Sequence, residues 1–331
     1  MLICLHINVL IMLNLLIGNN LELMKSNITD NSIDCVICSP PYYKLRRNNF
    51  EITWPDGWKG ELGQEKNVSE YIQHLKLIFQ EVYRVLDDTG NLFVVIADSS
   101  NNGNYQVPER FSLMMTDELG FIRKNDIIWK KNNILPAGGA AARKVVPDYE
   151  HVYYFVKNTK KHYFKQLYEP LSEITLKEYQ THYDSPGNGK DYEGQGIQNP
   201  SKVKANIINR AKRFAPIGGT KYKDNQNIDN NSIYTNNEYK PNLVQGRLLR
   251  SVWIFNHDNL PKDILHHSAF PRALIRRLLE MGCKPDGTTL DPFLGSGTLG
   301  VVADEMKIKW IGIEGNIQYL DSIKKRLERN Q

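Results

Sequence analysis

Two short stretches of this 331-residue chain combine residue types and spacing that could do chemistry. The first, Ser39-Pro40-Pro41-Tyr42, follows the apolar run 33–38. Two adjacent prolines remove two backbone donors and restrict φ, while their carbonyls remain available as acceptors. An exocyclic amine on an aromatic ring is a poor nucleophile, because its lone pair is delocalised into the ring. Acceptors from Ser39 and the Pro40 carbonyl would take hydrogen bonds from both of its N–H groups and draw the nitrogen toward tetrahedral geometry. Tyr42 would add a ring face for stacking and for a nearby cation. The second stretch, Asp291-Pro292-Phe293-Leu294-Gly295-Ser296-Gly297-Thr298, is a glycine-containing turn that feeds a helix-like segment. Its glycines allow positive φ and close approach of a ligand to the backbone. It has neither the lysine of a P-loop nor the full GxGxxG spacing. Taken singly, either stretch is equally compatible with a structural turn.

The neighbourhood of the second stretch narrows that choice. Trp310 to Glu314 reads as a strand ending in an acid roughly twenty residues after the turn, where a carboxylate can accept from both hydroxyls of a ribose. A helix cap or a surface acid is the alternative for Glu314.

Periodicity indicates the elements that must hold these residues. Strand-length apolar runs lie at 14–17, 33–38, 91–97, 121–129, 150–156, 251–255, 288–290 and 310–314. Helical spacing begins at Asn20 and recurs at 69–86, 108–119, 271–281, 297–306 and 317–329, with Ser69 a plausible N-cap. Strands alternating with helices predict an α/β fold, a mostly parallel sheet covered on both faces. Ligands then bind at the carboxyl ends of strands, near a topological switch point. Both stretches follow strands, so both are expected on that edge, facing one crevice despite some 250 intervening residues. Asp98 ends another run and either supports the site or caps the strand.

The matched segments resemble the S-adenosylmethionine-dependent DNA amino-methyltransferases, in the permuted order where the catalytic motif precedes the cofactor motif. Ser39 to Arg46 is similar to a branch with Ser-Pro-Pro-Tyr-x-x-Leu-Arg, and segments 125–130 and 250–253 also look like that branch. His266-His267-Ser268-Ala269-Phe270-Pro271 resembles the family's His-x-Ala-x-Phe-Pro segment. The resemblance implies a Rossmann-like methyltransferase fold and S-adenosyl-L-methionine as cofactor. It implies catalytic roles for Ser39, Pro40, Pro41 and Tyr42. Cofactor roles would fall to His266, Ser268, Phe270, Asp291, Pro292, Phe293, Gly295, Ser296, Gly297, Thr298 and Glu314. Asn19 stands where relatives often carry an acid that touches cofactor. Serine at position 39 leans toward the N4 amine of cytosine, with adenine N6 the alternative. Double-stranded DNA is the implied substrate and a cognate restriction endonuclease a candidate partner. A glutamine-methylating relative of proteins, with Asn-Pro-Pro-Tyr, fits less well, as does a binding protein that has lost turnover.

Composition is consistent with this reading. Hydrophobic content of 41% and charged content of 24% are ordinary for a globular protein. The net charge of +5 is unevenly placed: from Lys157 to Arg250 there are 16 Lys and Arg against 9 Asp and Glu. Within that basic segment Lys202, Lys204, Arg210, Lys212 and Arg213 suit phosphate contacts, although a solvated polar insertion would look similar. The expected organisation is therefore a catalytic half at 12–160, a target-recognition insertion at 161–248 and a cofactor half at 249–331. Cys35 and Cys38 have CxxC spacing, but they sit in an apolar strand, and no second pair or nearby histidine completes a metal site. They read as reduced core thiols. The apolar residues 1–17 lack a positive n-region, a small-residue cleavage site and the length of a membrane span, so a cytoplasmic protein is expected, with Met12 a possible natural start.

Overall fold

A computed structural model describes residues 14–47, 50–99, 104–132, 145–170, 247–258 and 270–329. The chain divides into two compact units, Met1–Gln166 with Arg250–Gln331, and Leu167–Leu249. In chain order the elements are β1 (Leu15–Ile17), α1 (Asn20–Asn27), β2 (Ile33–Cys38), β3 (Ile52–Thr53), β4 (Lys59–Gly60), α2 (Val68–Val85), β5 (Leu86–Ile96) and α3 (Val107–Leu113). A π-helical turn, Met114–Glu118, extends α3. Then come β6 (Ile122–Lys130), β7 (Tyr149–Val156), β8 (Tyr168–Glu169), β9 (Arg247–Leu248), β10 (Val252–Ile254), α4 (Arg272–Gly282), β11 (Thr288–Asp291), α5 (Thr298–Met306), β12 (Lys309–Glu314) and α6 (Leu320–Glu328).

Eight strands of the first unit form one sheet in the order β1-β12-β11-β2-β5-β7-β6-β10. Every neighbouring pair is parallel except the two made by β7, which runs antiparallel to both β5 and β6. The expected mostly parallel sheet with helices is what the chain forms. It is a Rossmann-like architecture with one reversed strand.

Local chemistry explains why the helices sit where they do. Asn67 caps α2 by accepting from Glu70 N at 3.0 Å, while the Glu70 carboxylate accepts back from Asn67 Nδ2. The buried stripe Tyr71, Leu75, Ile78, Phe79, Val82 and Val85 turns α2 onto the sheet. Together with Leu23, Met24, Phe111 and Met115 it covers one face in a continuous core. Arg84 crosses to α1 and donates to the carbonyls of Met24 and Ile28, satisfying the end of that helix. On the opposite face α4 packs against α5 and lies on β2 and β5.

The arrangement has one consequence for the site. β11 and β2 are hydrogen-bonded parallel neighbours, with Thr289 opposite Cys35 and Leu290 opposite Val36. The chain leaving β11 next enters the sheet at β12, on one side; the chain leaving β2 next joins it at β5, on the other. The junction is a topological switch point, where an open α/β sheet leaves a crevice at its carboxyl edge.

Among the described residues of the second unit, β8 and β9 form an antiparallel pair, Tyr168 opposite Leu248 and Glu169 opposite Arg247. Lys202, Lys204, Arg210, Lys212 and Arg213 lie outside the described residues, as do residues 1–13 and 133–144. No described helix is long and apolar enough to cross a membrane. Cys35, Cys38 and Cys283 are buried and unpaired, and burial holds the Cys35 and Cys38 thiols well above their ordinary range.

Candidate active site

The turns that follow β2 and β11 open into one cavity of about 840 Å³. Ser39, Pro40, Pro41 and Tyr42 line it from one side, and Pro292, Phe293, Leu294, Gly295, Ser296 and Thr298 from the other. Glu314, Gly315 and Asn316 after β12 and Gly18 and Asn20 after β1 complete the second side. Phe270 lines it too. Two segments remote in sequence thus share a single hollow, large enough for a nucleoside-sized ligand with a second ring beside it.

The catalytic turn is held by its surroundings. Tyr71, from α2, donates its phenol to the Pro41 carbonyl at 2.8 Å. Lys44 N donates to Gly63 O at 2.8 Å, and Ser99 Oγ donates to Tyr43 O. Gly63 has φ +93°, and a Cβ there would come within 2.9 Å of the Tyr42 carbonyl. Glycine is required on both counts. Behind it, the buried Glu65 carboxylate accepts from Gly63 N at 2.8 Å and meets His74 Nδ1 at 2.9 Å. Tyr42 donates its hydroxyl to Glu150 Oε2 at 2.7 Å. Burial, then the Glu150 charge, pushes the Tyr42 phenol well above its ordinary value, so it remains a donor.

The opposite turn is built around carboxylates. Glu314 accepts from Gly295 N and from Asn316 N, both at 2.8 Å, one bond to each oxygen. Burial pushes its carboxyl up to about 7. Asp291 Oδ1 accepts from Phe293 N at 2.9 Å, whereas the buried Oδ2 has no hydrogen-bond partner. Burial, with Glu314 adding repulsion, pushes Asp291 up to about 8. Gly297 holds φ +81° at the start of α5. Two buried acids, one with an orphaned oxygen, make this end of the cavity short of positive charge.

The family model described as DNA methylase matches residues 33–325, spanning both turns. The chain belongs to this family. The methylase is 26% identical over 328 residues to the Type II methyltransferase M.SmaI of Serratia marcescens, covering 90% of this chain and 85% of the relative. In fold it is similar to the PvuII DNA methyltransferase (cytosine-N4-specific), with TM-score 0.57 and 20% identity over 95% of this chain and 86% of that one. It is also similar to the M1.HpyAVI–SAM complex, with TM-score 0.50 and 17% identity over 95% of this chain and 98% of that one.

S-Adenosyl-L-methionine is the cofactor of this family, and the methylase's residues suit it. Each Glu314 oxygen, on the cavity wall, retains a lone pair for a ribose hydroxyl, and a ligand bearing a sulfonium and an ammonium offsets the charge of the buried acids, although the expected cofactor residues Asp291 and Gly297 are not themselves in the wall. The structure brings most of the expected residues together, but not all in the expected way. Ser296 and Thr298 line the cavity, yet both hydroxyls meet Arg326 of α6, which donates from Nη1 to Ser296 Oγ at 2.5 Å and to Thr298 Oγ1 at 3.0 Å. Those side chains anchor the turn to α6. Asn19 spends its side chain capping α1, accepting from Leu21 N at 3.0 Å. Its neighbour Asn20 faces the cavity and donates to Pro292 O at 3.2 Å. His266 and Ser268 lie outside the described residues.

Sequence reasoning missed several cavity residues, among them Trp129, Lys131 and Glu150 on the catalytic side. Trp129 and Lys131 come from the end of β6, and Glu150 from the start of β7. Trp129 lies in the segment 125–130 that resembles the family branch, but no motif marks Lys131 or Glu150; a polar residue at the carboxyl end of a predicted strand was the one available signal, and for Glu150 even that failed, because β7 runs backwards.

Proposed function

We propose that the methylase transfers a methyl group from S-adenosyl-L-methionine to the N4 amine of cytosine in double-stranded DNA, as the protective half of a restriction-modification system. The observation that carries this is the pairing of β2 with β11, which opens the Ser-Pro-Pro-Tyr turn and the glycine turn into the same cavity. When bound, the cofactor supplies an electrophilic methyl group on a sulfonium.

The protein's part is to bind, orient and exclude water. Because the Pro41 carbonyl faces Tyr71, Ser39 and the Pro40 carbonyl are the acceptors assigned to the two N–H groups of the target amine. Tyr42 stacks on the base. Glu314 holds the ribose, and the ionised form of the buried Asp291 favours a cationic group in the cavity. The methylated nitrogen is briefly cationic and acidic, so the reaction demands no strong general base. A target inside a duplex is inaccessible, so the base must be flipped into the cavity. The basic segment containing Lys202, Lys204, Arg210, Lys212 and Arg213 would neutralise phosphates around it.

Serine at position 39 favours cytosine, and the fold-related PvuII enzyme is cytosine-N4-specific. The Type II methyltransferases among the relatives favour a restriction-modification setting. Expression in a methylation-free host, followed by mass analysis of nucleosides from its DNA, tests the reading. N4-methylcytosine is the expected product. N6-methyladenine would overturn the choice of base, and unmodified DNA would overturn the activity.

A further inference from the structure

Glu150 and Lys131 have no place in the mechanism above, yet they form a nearly buried ion pair inside the catalytic cavity, with side chains 14% and 16% exposed. Removing two charges from water is costly and is offset only by close pairing and further hydrogen bonds. Their placement is rigid. Glu150 sits opposite Trp129 in the β6–β7 ladder, and Lys131 N donates to Asp148 O at 2.8 Å, extending that ladder by one bond. Lys131 Nζ lies 4.7 Å from the centre of the Trp129 ring, and Trp129 Nε1 is itself tied to Phe255 O at 2.8 Å. The carboxylate therefore has a fixed cation on Oε1 and presents Oε2 to the Tyr42 hydroxyl.

Tyr42 hangs from a turn whose backbone is already clamped. Its ring still has two side-chain torsions, and several rotamers would swing it out of the plane in which a flipped base must stack. A charge-assisted hydrogen bond at the far end of the ring removes that freedom. We propose that Glu150 is a positioning residue for methyl transfer: it fixes the Tyr42 ring from β7, while Lys131 neutralises it so that no unpaired charge faces the base. This rests on the reading of Tyr42 as the stacking residue of the base pocket. The catalytic turn is thus braced at both ends of the tyrosine, by α2 through Pro41 and by β7 through the hydroxyl.

The test is steady-state and single-turnover methyl transfer by wild type, Glu150→Ala, Glu150→Gln, Tyr42→Phe and the double variant Tyr42→Phe/Glu150→Ala. Melting temperature and S-adenosylmethionine affinity are followed in parallel. Glu150→Ala should lower kcat about 10- to 100-fold, the range expected when a reacting partner is misplaced. KM for the cofactor should stay within about 3-fold on the same argument. Glu150→Gln, which can still accept from the hydroxyl, should recover most of the rate. Tyr42→Phe removes the same bond from the other side and keeps the ring, so the double variant should be little worse than either single one. Full kcat in Glu150→Ala, multiplicative losses in the double variant, or no recovery with glutamine would each overturn the proposal. If wild type binds cofactor but transfers no methyl group to any DNA, the base-pocket reading falls first and takes this inference with it.

Discussion

The two ends of the cavity solve opposite problems. At the catalytic end most polar groups around the turn have partners: Tyr71 meets Pro41 O, Tyr42 meets Glu150, Lys44 N meets Gly63 O, and Glu65 meets both Gly63 N and His74, while Asp98 accepts from Val107 N and keeps its other oxygen buried without a partner. At the cofactor end Asp291 Oδ2 is buried without a partner, and burial raises both Asp291 and Glu314 to near or above neutrality. One end is a finished mould whose value lies in shape; the other is a charge deficit waiting for a cation. A substitution at the first end should therefore change rate, and one at the second should change cofactor affinity.

The largest expected effects break the two ends separately. Glu314→Ala removes the acid that receives Gly295 N and Asn316 N and leaves both donors without that partner. Losing a charged hydrogen-bond partner of this kind costs about 1.5–3 kcal/mol, so cofactor affinity should weaken roughly 10- to 100-fold while DNA affinity is retained. Gly63→Ala should do the reverse. It forces a Cβ against the Tyr42 carbonyl at a backbone angle that alanine resists, costing about 1–3 kcal/mol of stability and slowing transfer with cofactor affinity nearly unchanged. Calorimetric titration with S-adenosylmethionine and labelled methyl transfer separate these outcomes. Equal loss of both functions in either variant would erase the division between the ends.

The same division explains how much could be read from the sequence. Local pattern located most strands and helices of the first unit to within a residue or two: α2 was expected at 69–86 and runs Val68–Val85, and β11 was expected at 288–290 and runs Thr288–Asp291. Both turns were visible because proline pairs and spaced glycines are rare and have direct backbone consequences. Some features were less legible. The segment 108–119 is not one regular helix, because after Leu113 the chain widens into a π turn at Met114–Glu118. β5 begins at Leu86, five residues before its apolar run, as the chain passes directly from α2 into the sheet. Glu150 lies 108 residues from Tyr42, and nothing short of the β6–β7 pairing could bring them together. Arg326 looks from the sequence like one more basic residue on an amphipathic helix, yet it is buried and ties down Ser296 and Thr298. Short motifs show which backbone is special. They do not show which distant side chains complete it.

A pH titration sharpens the charge-deficit side. Asp291 and Glu314 have folded values near 8 and 7, above the ordinary carboxyl values of 3.8 and 4.5. Between those limits these two groups hold more protons in the folded chain than in the unfolded one, so their contribution to ligand-free stability is greatest at low pH and declines as pH rises from about 4 to about 8. A bound cation favours the ionised acids, so cofactor affinity should increase over the upper part of that window. The melting temperature of the free methylase should therefore fall between pH 5.5 and 8.5, with each acid losing at most about 1.4 kcal/mol of stability per pH unit until its folded value is passed. Saturating S-adenosylmethionine should flatten the fall, and Asp291→Asn should flatten it without ligand. A free enzyme whose melting point is level across this range would remove the deficit from the account.

The smallest effect concerns two adjacent asparagines, and it tests the boundary of the cofactor end residue by residue. Asn19 accepts from Leu21 N as the cap of α1, while Asn20 reaches across to Pro292 O from the cavity wall. Replacing an N-cap asparagine by alanine costs about 0.5–2 kcal/mol of stability, partly offset here because Asn20 Oδ1 also accepts from Leu21 N at 2.9 Å. Asn19→Ala should thus lower the melting temperature slightly and leave cofactor affinity within about 2-fold, since the lost bond is a helix cap and not a ligand contact. Asn20→Ala should weaken cofactor binding several-fold, about 0.5–1.5 kcal/mol for one neutral hydrogen bond that orders the glycine turn, with a smaller change in melting. The reverse pattern, affinity lost at Asn19 and kept at Asn20, would mean that α1 turns its cap toward the ligand on binding, and that the cofactor end is remodelled by its ligand and not built in advance.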